Sequence, residues 1–189
     1  MLKQIHNNQQ GIGMIEILVA LLLLAVAVLG FSAMQMRAIK ATDETLIRGD
    51  AMVAIRNIAE DMRLHPSVAQ KERYRTAVSA QAGAADPAAY ATAVKAVTVT
   101  NCATTACTDE QQIAYTANRA MRLAADNQMM LNAIECPTGA GTATDLRRIC
   151  LIASWGATRP VIGTAANNAC IAASGTYNRG SSCLVVETY

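Results

Sequence analysis

The chain carries one uncharged, mainly apolar run that extends from Ile17 to Met36. About 20 residues form roughly 30 Å of α-helix, which is enough to span the hydrocarbon core of a bilayer. A single carboxylate, that of Glu16, stands directly before this run. A charged side chain at the centre of a bilayer costs about 2.5–3.5 kcal/mol on insertion scales. Glu16 is therefore a candidate functional residue that needs a cationic partner.

The helical pattern continues after Arg37, and no proline occurs until Pro66. Pro66 predicts that the helix ends near Leu64 or His65. The pattern predicts one helix of about 50 residues, apolar all round at its start and amphipathic afterwards. We expect the apolar stripe of its second half to pack against its own domain; the stripe consists of Ile47, Ala51, Ala54, Ile55, Ile58 and Met62.

Shorter elements are expected after Pro66. Residues 66–93 predict a short helix and a loop that turns at Asp86-Pro87. The segment Val94–Thr100 alternates weakly between apolar and polar residues, which predicts a short strand.

A capping-box pattern, Thr108 with Gln111, predicts the start of a second helix that ends near Met130. Its polar side, which we expect to be solvated, holds Asn118, Arg119 and Arg122. Three later segments rich in Ile, Val and Leu predict strands: Leu131–Cys136, Arg148–Trp155 and Cys183–Thr188. Between the last two, Ala157–Ser182 is expected to be a long polar connection.

Composition narrows the class of protein. The 189 residues carry a net charge of +2, and 52% of them are hydrophobic. This charge is too small to predict nucleic-acid binding over a whole face, so no nucleic-acid site is identified. No Ser-His-Asp set, phosphate-binding glycine loop or carboxylate pair stands out in the sequence. We therefore do not expect an enzyme, and no cofactor is implied.

Six cysteines, all in the C-terminal half, indicate disulfides and an oxidising compartment. Six cysteines allow fifteen pairings in principle. Their order along the chain suggests the pairs Cys102–Cys107, Cys136–Cys150 and Cys170–Cys183. We expect no metal site, because no Cys-x-x-Cys occurs and both histidines lie far from the cysteines in sequence.

The residues around Gly11 resemble the class III signal of type IV prepilins. That family has a basic leader ending in glycine, a hydrophobic residue that becomes the new N-terminus, and a glutamate four residues later. Gly11, Ile12 and Glu16 occupy these three positions. The resemblance implies that a prepilin peptidase cuts after Gly11 and methylates the Ile12 amine. In a filament core, the N-terminal ammonium of a neighbouring subunit would be a suitable cation for Glu16, because it too is desolvated.

The helix that follows the cysteine loop, the strand with Trp155 and the C-terminal strand are similar to minor pilins of the PilV type, the type IV pilus modification proteins. This resemblance implies a low-abundance subunit that initiates or caps pilus assembly and supports twitching motility, adhesion or DNA uptake. The expected partners are other minor and major pilins, the prepilin peptidase and, before assembly, the inner membrane. The expected location is a single pass in the inner membrane with a periplasmic C-terminal domain, followed by the pilus tip.

The expected fold class is α+β. A long N-terminal helical spine would pack on a small disulfide-linked domain with a short antiparallel sheet and an additional helix. The expected parts are a leader peptide at 1–11, a hydrophobic transmembrane or filament-core helix at 12–36, its amphipathic half at 37–65, and a globular periplasmic or surface domain at 66–189.

Three alternatives share parts of this pattern. A pseudopilin of a type II secretion system has the same N-terminus, and calcium-site carboxylates in its C-terminal domain would favour it. A membrane-anchored envelope binding domain would keep its leader. A major pilin would be recognised by its abundance in sheared pili.

The position of Gly11 generates a prediction about processing. The mature chain should begin at Ile12, because Gly11 takes the place of the leader glycine before the apolar run. Replacing Gly11 with a bulky residue such as leucine should leave a full-length precursor in the inner membrane. Mass spectrometry of the N-terminal peptide measures this, and normal maturation of the variant would contradict the prediction.

Overall fold

The computed structural model describes residues 13–137 and 148–188. The helices in this part of the chain are α1 (Met14–Leu64), α2 (Val68–Ser79), α3 (Pro87–Ala96) and α4 (Asp109–Asp126). The strands are β1 (Met129–Glu135), β2 (Ile149–Trp155), β3 (Arg159–Ile162), β4 (Ala169–Ile171) and β5 (Cys183–Thr188). A short 3₁₀ turn, Ala165–Asn167, separates β3 from β4.

The chain divides into two compact units, one ending at Thr45 and the other beginning at Leu46. We call the second unit the head. The head combines the last part of α1 with α2, α3, α4 and the strands, which confirms the α+β class. The single short helix predicted within residues 66–93 is in fact followed by another, since α2 and α3 both begin in that range.

Helix α1 is continuous over 51 residues and ends at Leu64, as the position of Pro66 predicts. Of the predicted stripe, Ile47 is partly buried and the other five residues are buried. They belong to the same hydrophobic cluster as Tyr74, Tyr90 and Leu131 in the head. The second half of α1 is therefore a core element of the head, as predicted.

Side-chain caps set where the shorter helices begin. Ser67 accepts a hydrogen bond from the backbone of Gln70 at the start of α2. Asp86 caps α3 with Pro87 in its first turn, so this dipeptide starts a helix where a turn was expected. The predicted capping box of α4 is present, with Thr108 and Gln111 each bonded to the other's backbone.

The main sheet is antiparallel, with strand order β1-β2-β5. Its two faces bury different neighbours because side chains alternate along each strand. Leu131, Leu151 and Val186 join the cluster formed with the helices. On the opposite face, Ile152 packs with residues of β4 in a second, smaller cluster.

The prediction that Ala157–Ser182 is a long polar connection is wrong. It contains β3 and β4, which pair in parallel and form a second, two-stranded sheet. Asn178 lies inside this segment and donates through Nδ2 to the carbonyls of Gly163 and Ala169, at 3.1 and 2.9 Å. These strands have only four and three residues, which is too short to show a clear alternating pattern.

The strand predicted at Val94–Thr100 is not formed. Val94 lies in α3 and is fully buried, one helical turn after Tyr90. Val97 is extended, and the segment 97–100 that it opens is not part of either sheet. Their β-propensity is overridden because burial of Tyr90 and Val94 requires helical spacing.

Helix α4 ends at Asp126, four residues before the predicted end. Gln128 adopts a positive φ of 56°, which reverses the chain directly into β1. Met129 and Met130 are both buried in that strand, on opposite faces of the sheet. Successive side chains of a strand point to opposite faces, so a sheet that is covered on both faces buries both methionines. Consecutive residues of a helix would not both lie on its one buried face.

Three disulfides join Cys102 to Cys107, Cys136 to Cys150 and Cys170 to Cys183. These are the pairs that adjacency along the chain suggests. The first closes an exposed loop before α4, and the second joins β1 to β2 at one end of the sheet. The third ties fully buried Cys170 of β4 to β5, so it holds the two sheets together.

The lengths of these loops predict unequal contributions to stability. Replacing both Cys170 and Cys183 with alanine should lower the free energy of unfolding by about 3 kcal/mol, because the bond closes a medium-length loop. The matched change at Cys102 and Cys107 should cost about 2 kcal/mol, since that loop is shorter. Urea unfolding of both variants measures the difference. An equal or larger loss for the exposed pair would contradict the prediction.

Candidate assembly site

The first unit presents an apolar helical surface. Every residue from Met14 to Leu46 is exposed, including Leu18 at 62% and Leu29 at 71%. This helix is long and apolar enough to cross a membrane. Such a surface needs either lipid or the apolar helices of other subunits around it.

Three hydroxyl groups on this surface are satisfied locally. The hydroxyls of Ser32, Thr42 and Thr45 each donate to the carbonyl four residues earlier, at 2.9–3.0 Å. An α-helix also satisfies its own backbone groups, which is the condition for lying in an apolar medium. The backbone and these three hydroxyls therefore make no polar demand on their surroundings.

Glu16 differs from these hydroxyls. It lies in the first turn of α1, where its backbone N–H donates to the carbonyl of Gly13 at 2.9 Å. The positive end of the helix dipole favours a carboxylate there, but by only about 0.3–1 kcal/mol. Among the residues that the structure describes, no side chain forms a hydrogen bond or ion pair with this carboxylate. Glu16 thus offers an acceptor to a partner from outside the described chain.

The two other predicted processing residues, Gly11 and Ile12, lie outside the described residues. Glu16 lies in the first unit, whereas the six cysteines lie in the head. The cysteines are all in disulfides within the head, where they act as covalent links.

A polar cluster in the head could have served as a second functional site. The hydroxyl of Tyr74 lies 3.1 Å from Thr116 Oγ1 and 3.5 Å from His65 Nδ1. The same His65 nitrogen lies 3.0 Å from the carbonyl of Asp61. The cluster joins the end of α1 to α2 and α4, and each contact is accounted for by that structural role.

The electrostatics of this cluster centre on Asp61. Burial raises the pKa of its carboxyl above the ordinary value, and the neighbouring charge of Glu60 acts in the same direction. Opposing effects come from His65, Arg119 and a hydrogen bond from Thr116. Within the described ranges, no three side chains of His, Cys, Asp or Glu come together as a metal site.

The sequence reasoning missed one buried polar residue on α4. Asn118 was expected on a solvated face, but it is only 2% exposed. Its Oδ1 accepts a hydrogen bond from Arg122 Nε at 2.8 Å. The i, i+4 spacing of Asn118 and Arg122 is the sequence signal that could have suggested this pair.

Comparison with protein families adds two matches. A family model described as type IV pilin Tt1218 matches residues 33–118. A model of the prokaryotic N-terminal methylation motif matches residues 6–32, a span that includes Gly11, Ile12 and Glu16. The chain is type IV pilin-like. Comparison with curated proteins and with solved structures found no significant match.

The type IV pilin matches explain the exposed helix. They support a pilin subunit that is anchored in a membrane by its apolar helix and later assembled with other pilins. The methylation motif implies processing by a prepilin peptidase. The pilin family is structural, and Ser67, Asp86 and Thr108 of the head cap its helices.

The raised pKa of Asp61 generates a prediction on stability. A carboxyl with a raised folded pKa contributes stability below its unfolded pKa, and this contribution is lost as pH rises through the folded pKa. Asp61→Asn should therefore melt at a higher temperature than the wild type near neutral pH. The gain should vanish by about pH 3, where the native carboxyl is protonated too.

Thermal unfolding followed by circular dichroism across this pH range measures the effect. Glu60→Gln is the matched control, because it removes only the neighbouring like charge and should give a smaller gain. A loss of stability in Asp61→Asn at neutral pH would show that the charged form is favoured, contrary to the prediction.

Proposed function

We propose that this chain is a minor pilin, a low-abundance structural subunit that initiates or caps assembly of the type IV pilus. The single observation that carries the proposal is the lone carboxylate of Glu16 ahead of an exposed, uncharged helix. In this role the protein would support twitching motility, adhesion or DNA uptake.

The exposed helix supplies the driving force for assembly. Burying one leucine-sized side chain is worth about 1.5–3 kcal/mol, so transfer from lipid into a filament core costs little and transfer into water is prohibitive. The apolar surface therefore holds the subunit in the inner membrane until it enters a filament. It carries no directional information, because apolar contacts are non-directional.

Glu16 supplies the register that apolar packing lacks. Cleavage after Gly11 would create an N-terminal ammonium on Ile12, which is methylated in the proposed mature subunit. In the filament this ammonium and the Glu16 carboxylate of a neighbour are both desolvated, and each is the other's available counter-ion. Pairing them selects one axial position among many that bury similar apolar area.

The minor role rests on the similarity of the later part of the chain to minor pilins of the PilV type. Other minor and major pilins would be its partners, and the pilus tip its final location. The head would face the periplasm before assembly.

Substitution of Glu16 tests the assembly role. Glu16→Leu and Glu16→Ala should be expressed, inserted and cleaved, because the anchor becomes more apolar. Both should fail to enter or start pili, since the neighbour's ammonium is left unpaired. Glu16→Gln should also be impaired, which separates the charge from the shape of the side chain. The measurement is the amount of the subunit, and of total pilin, in sheared pili.

Asp50→Asn is the matched control, because Asp50 is an exposed carboxylate on the same helix but beyond the apolar run. It should leave piliation unchanged. Full piliation with Glu16→Leu would refute the assembly role. A subunit that dominates sheared pili would be a major pilin, and one that copurifies with a secretion system would be a pseudopilin. An uncut leader would indicate an envelope binding domain.

A further inference from the structure

A cavity of about 490 Å³ lies in the head between α4 and the extended segment after α3. This size is in the range of sites for small organic molecules and far exceeds a single inorganic ion. Part of its wall is apolar or aromatic, formed by Val97, Val99 and Tyr115. Asn118, Arg119 and Arg122 line it from α4.

Asn118 brings an unpaired donor to this cavity. Its Oδ1 accepts from Arg122 Nε, and because a guanidinium only donates, this contact fixes which end of the amide is oxygen. The Nδ2 end is buried and has no hydrogen-bond partner among the described residues. A buried donor left without a partner costs stability unless a bound molecule or water accepts from it.

Arg122 holds the amide in place. Its Nη2 donates to the carbonyls of Lys95 and Val97, at 3.3 and 3.0 Å. The guanidinium therefore links the end of α3, the extended segment and Asn118. The orientation of the amide is thus fixed before any ligand arrives, which reduces the entropy that binding must offset. Nδ2 itself is covered by the cavity wall, so a ligand reaches it only when the wall opens slightly.

The polar chemistry of the cavity is one-sided. Its charged lining consists of Arg119 and Arg122, and no carboxylate lines it among the described residues. The backbone N–H groups of Thr98 and Val99, in the same wall, form no hydrogen bonds with the described chain. Guanidinium and amide donors together favour a ligand with a negatively charged oxygen group. The apolar wall favours a ligand in which that group is attached to an apolar organic moiety.

We propose that this cavity binds a small organic anion through its carboxylate or phosphate group. The anionic group accepts from Asn118 Nδ2 and Arg119, and the rest of the ligand lies against Val97, Val99 and Tyr115. The site is independent of Glu16 and of assembly through α1, so it gives the head a ligand-binding role in addition to its structural one.

Nuclear magnetic resonance of the ¹⁵N-labelled full chain in detergent micelles tests the site. Benzoate and phenyl phosphate serve as probes of the carboxylate and the phosphate group. Benzamide is the neutral analogue, and inorganic phosphate is an anion that lacks the aromatic ring. Benzoate or phenyl phosphate should shift the side-chain amide signals of Asn118. Benzamide and inorganic phosphate should each bind at least about tenfold more weakly.

Two variants test the donors separately. Asn118→Asp keeps the oxygen that accepts from Arg122 but replaces the free donor with an acceptor, so the fold is retained and anion binding should be lost. Arg119→Gln should lower the affinity for the tighter-binding of the two anionic probes by at least about tenfold. Arg179→Gln, at an exposed arginine outside the cavity lining, is the matched control and should bind like the wild type.

The outcomes separate the possibilities. Equal affinity for benzamide and benzoate would overturn the anionic chemistry, and equal affinity for inorganic phosphate would overturn the organic ligand. Unmoved Asn118 signals, or unchanged binding in Asn118→Asp and Arg119→Gln, would show that water satisfies the amide and that the cavity is not a site. Each result is read in solution without pili, so it is distinguishable from failure of the assembly role.

Discussion

An apolar helix that the protein leaves exposed is the constraint on which the rest of the structure depends. From Met14 to Leu46 no side chain is buried, so the first unit has no stable place in water. Internal hydrogen bonds, including those of Ser32 and Thr42, make the helix compatible with either lipid or a packed filament core. In the proposed filament, the carboxylate of Glu16 would distinguish the two environments, because lipid offers it no counter-ion and the ammonium of a neighbouring pilin would.

The head is organised around the same helix after its character changes. Ala51, Ile55 and Ile58 are buried as fully as the residues of the sheet. Many core positions are alanine, which buries little apolar area per residue, and large side chains such as Tyr74 and Tyr90 fill the gaps. Disulfides compensate for a thin core of this kind, and Cys170–Cys183 does so where the two sheets meet.

The buried polar groups of the head differ in whether their hydrogen bonds are complete. Around Asp61, the neighbours Thr116, Tyr74 and His65 satisfy one another and close the junction of three helices. The side-chain amide of Asn118 is only partly hydrogen-bonded, because Arg122 donates to its oxygen and its nitrogen has no partner among the described residues. The first network has a structural role, whereas the unpaired donor of Asn118 is the basis of the proposed ligand site.

The sequence by itself determined the parts that follow from local periodicity and local chemistry. The extent of α1, its buried stripe, the Thr108–Gln111 capping box and the limits of β5 are set by spacing within one segment. Tertiary structure decided the remainder. Segment 97–100 has the composition of a strand but is not part of either sheet, and β3 and β4 form a sheet without a strong pattern. Asn118 is buried because α4 packs beside the end of α3, where Arg122 donates hydrogen bonds to Asn118 and to the carbonyl of Lys95. These outcomes depend on contacts between different elements, such as Ile162 with Ile171 in the second sheet and Arg122 with Val97, and the pattern within one segment does not encode such contacts.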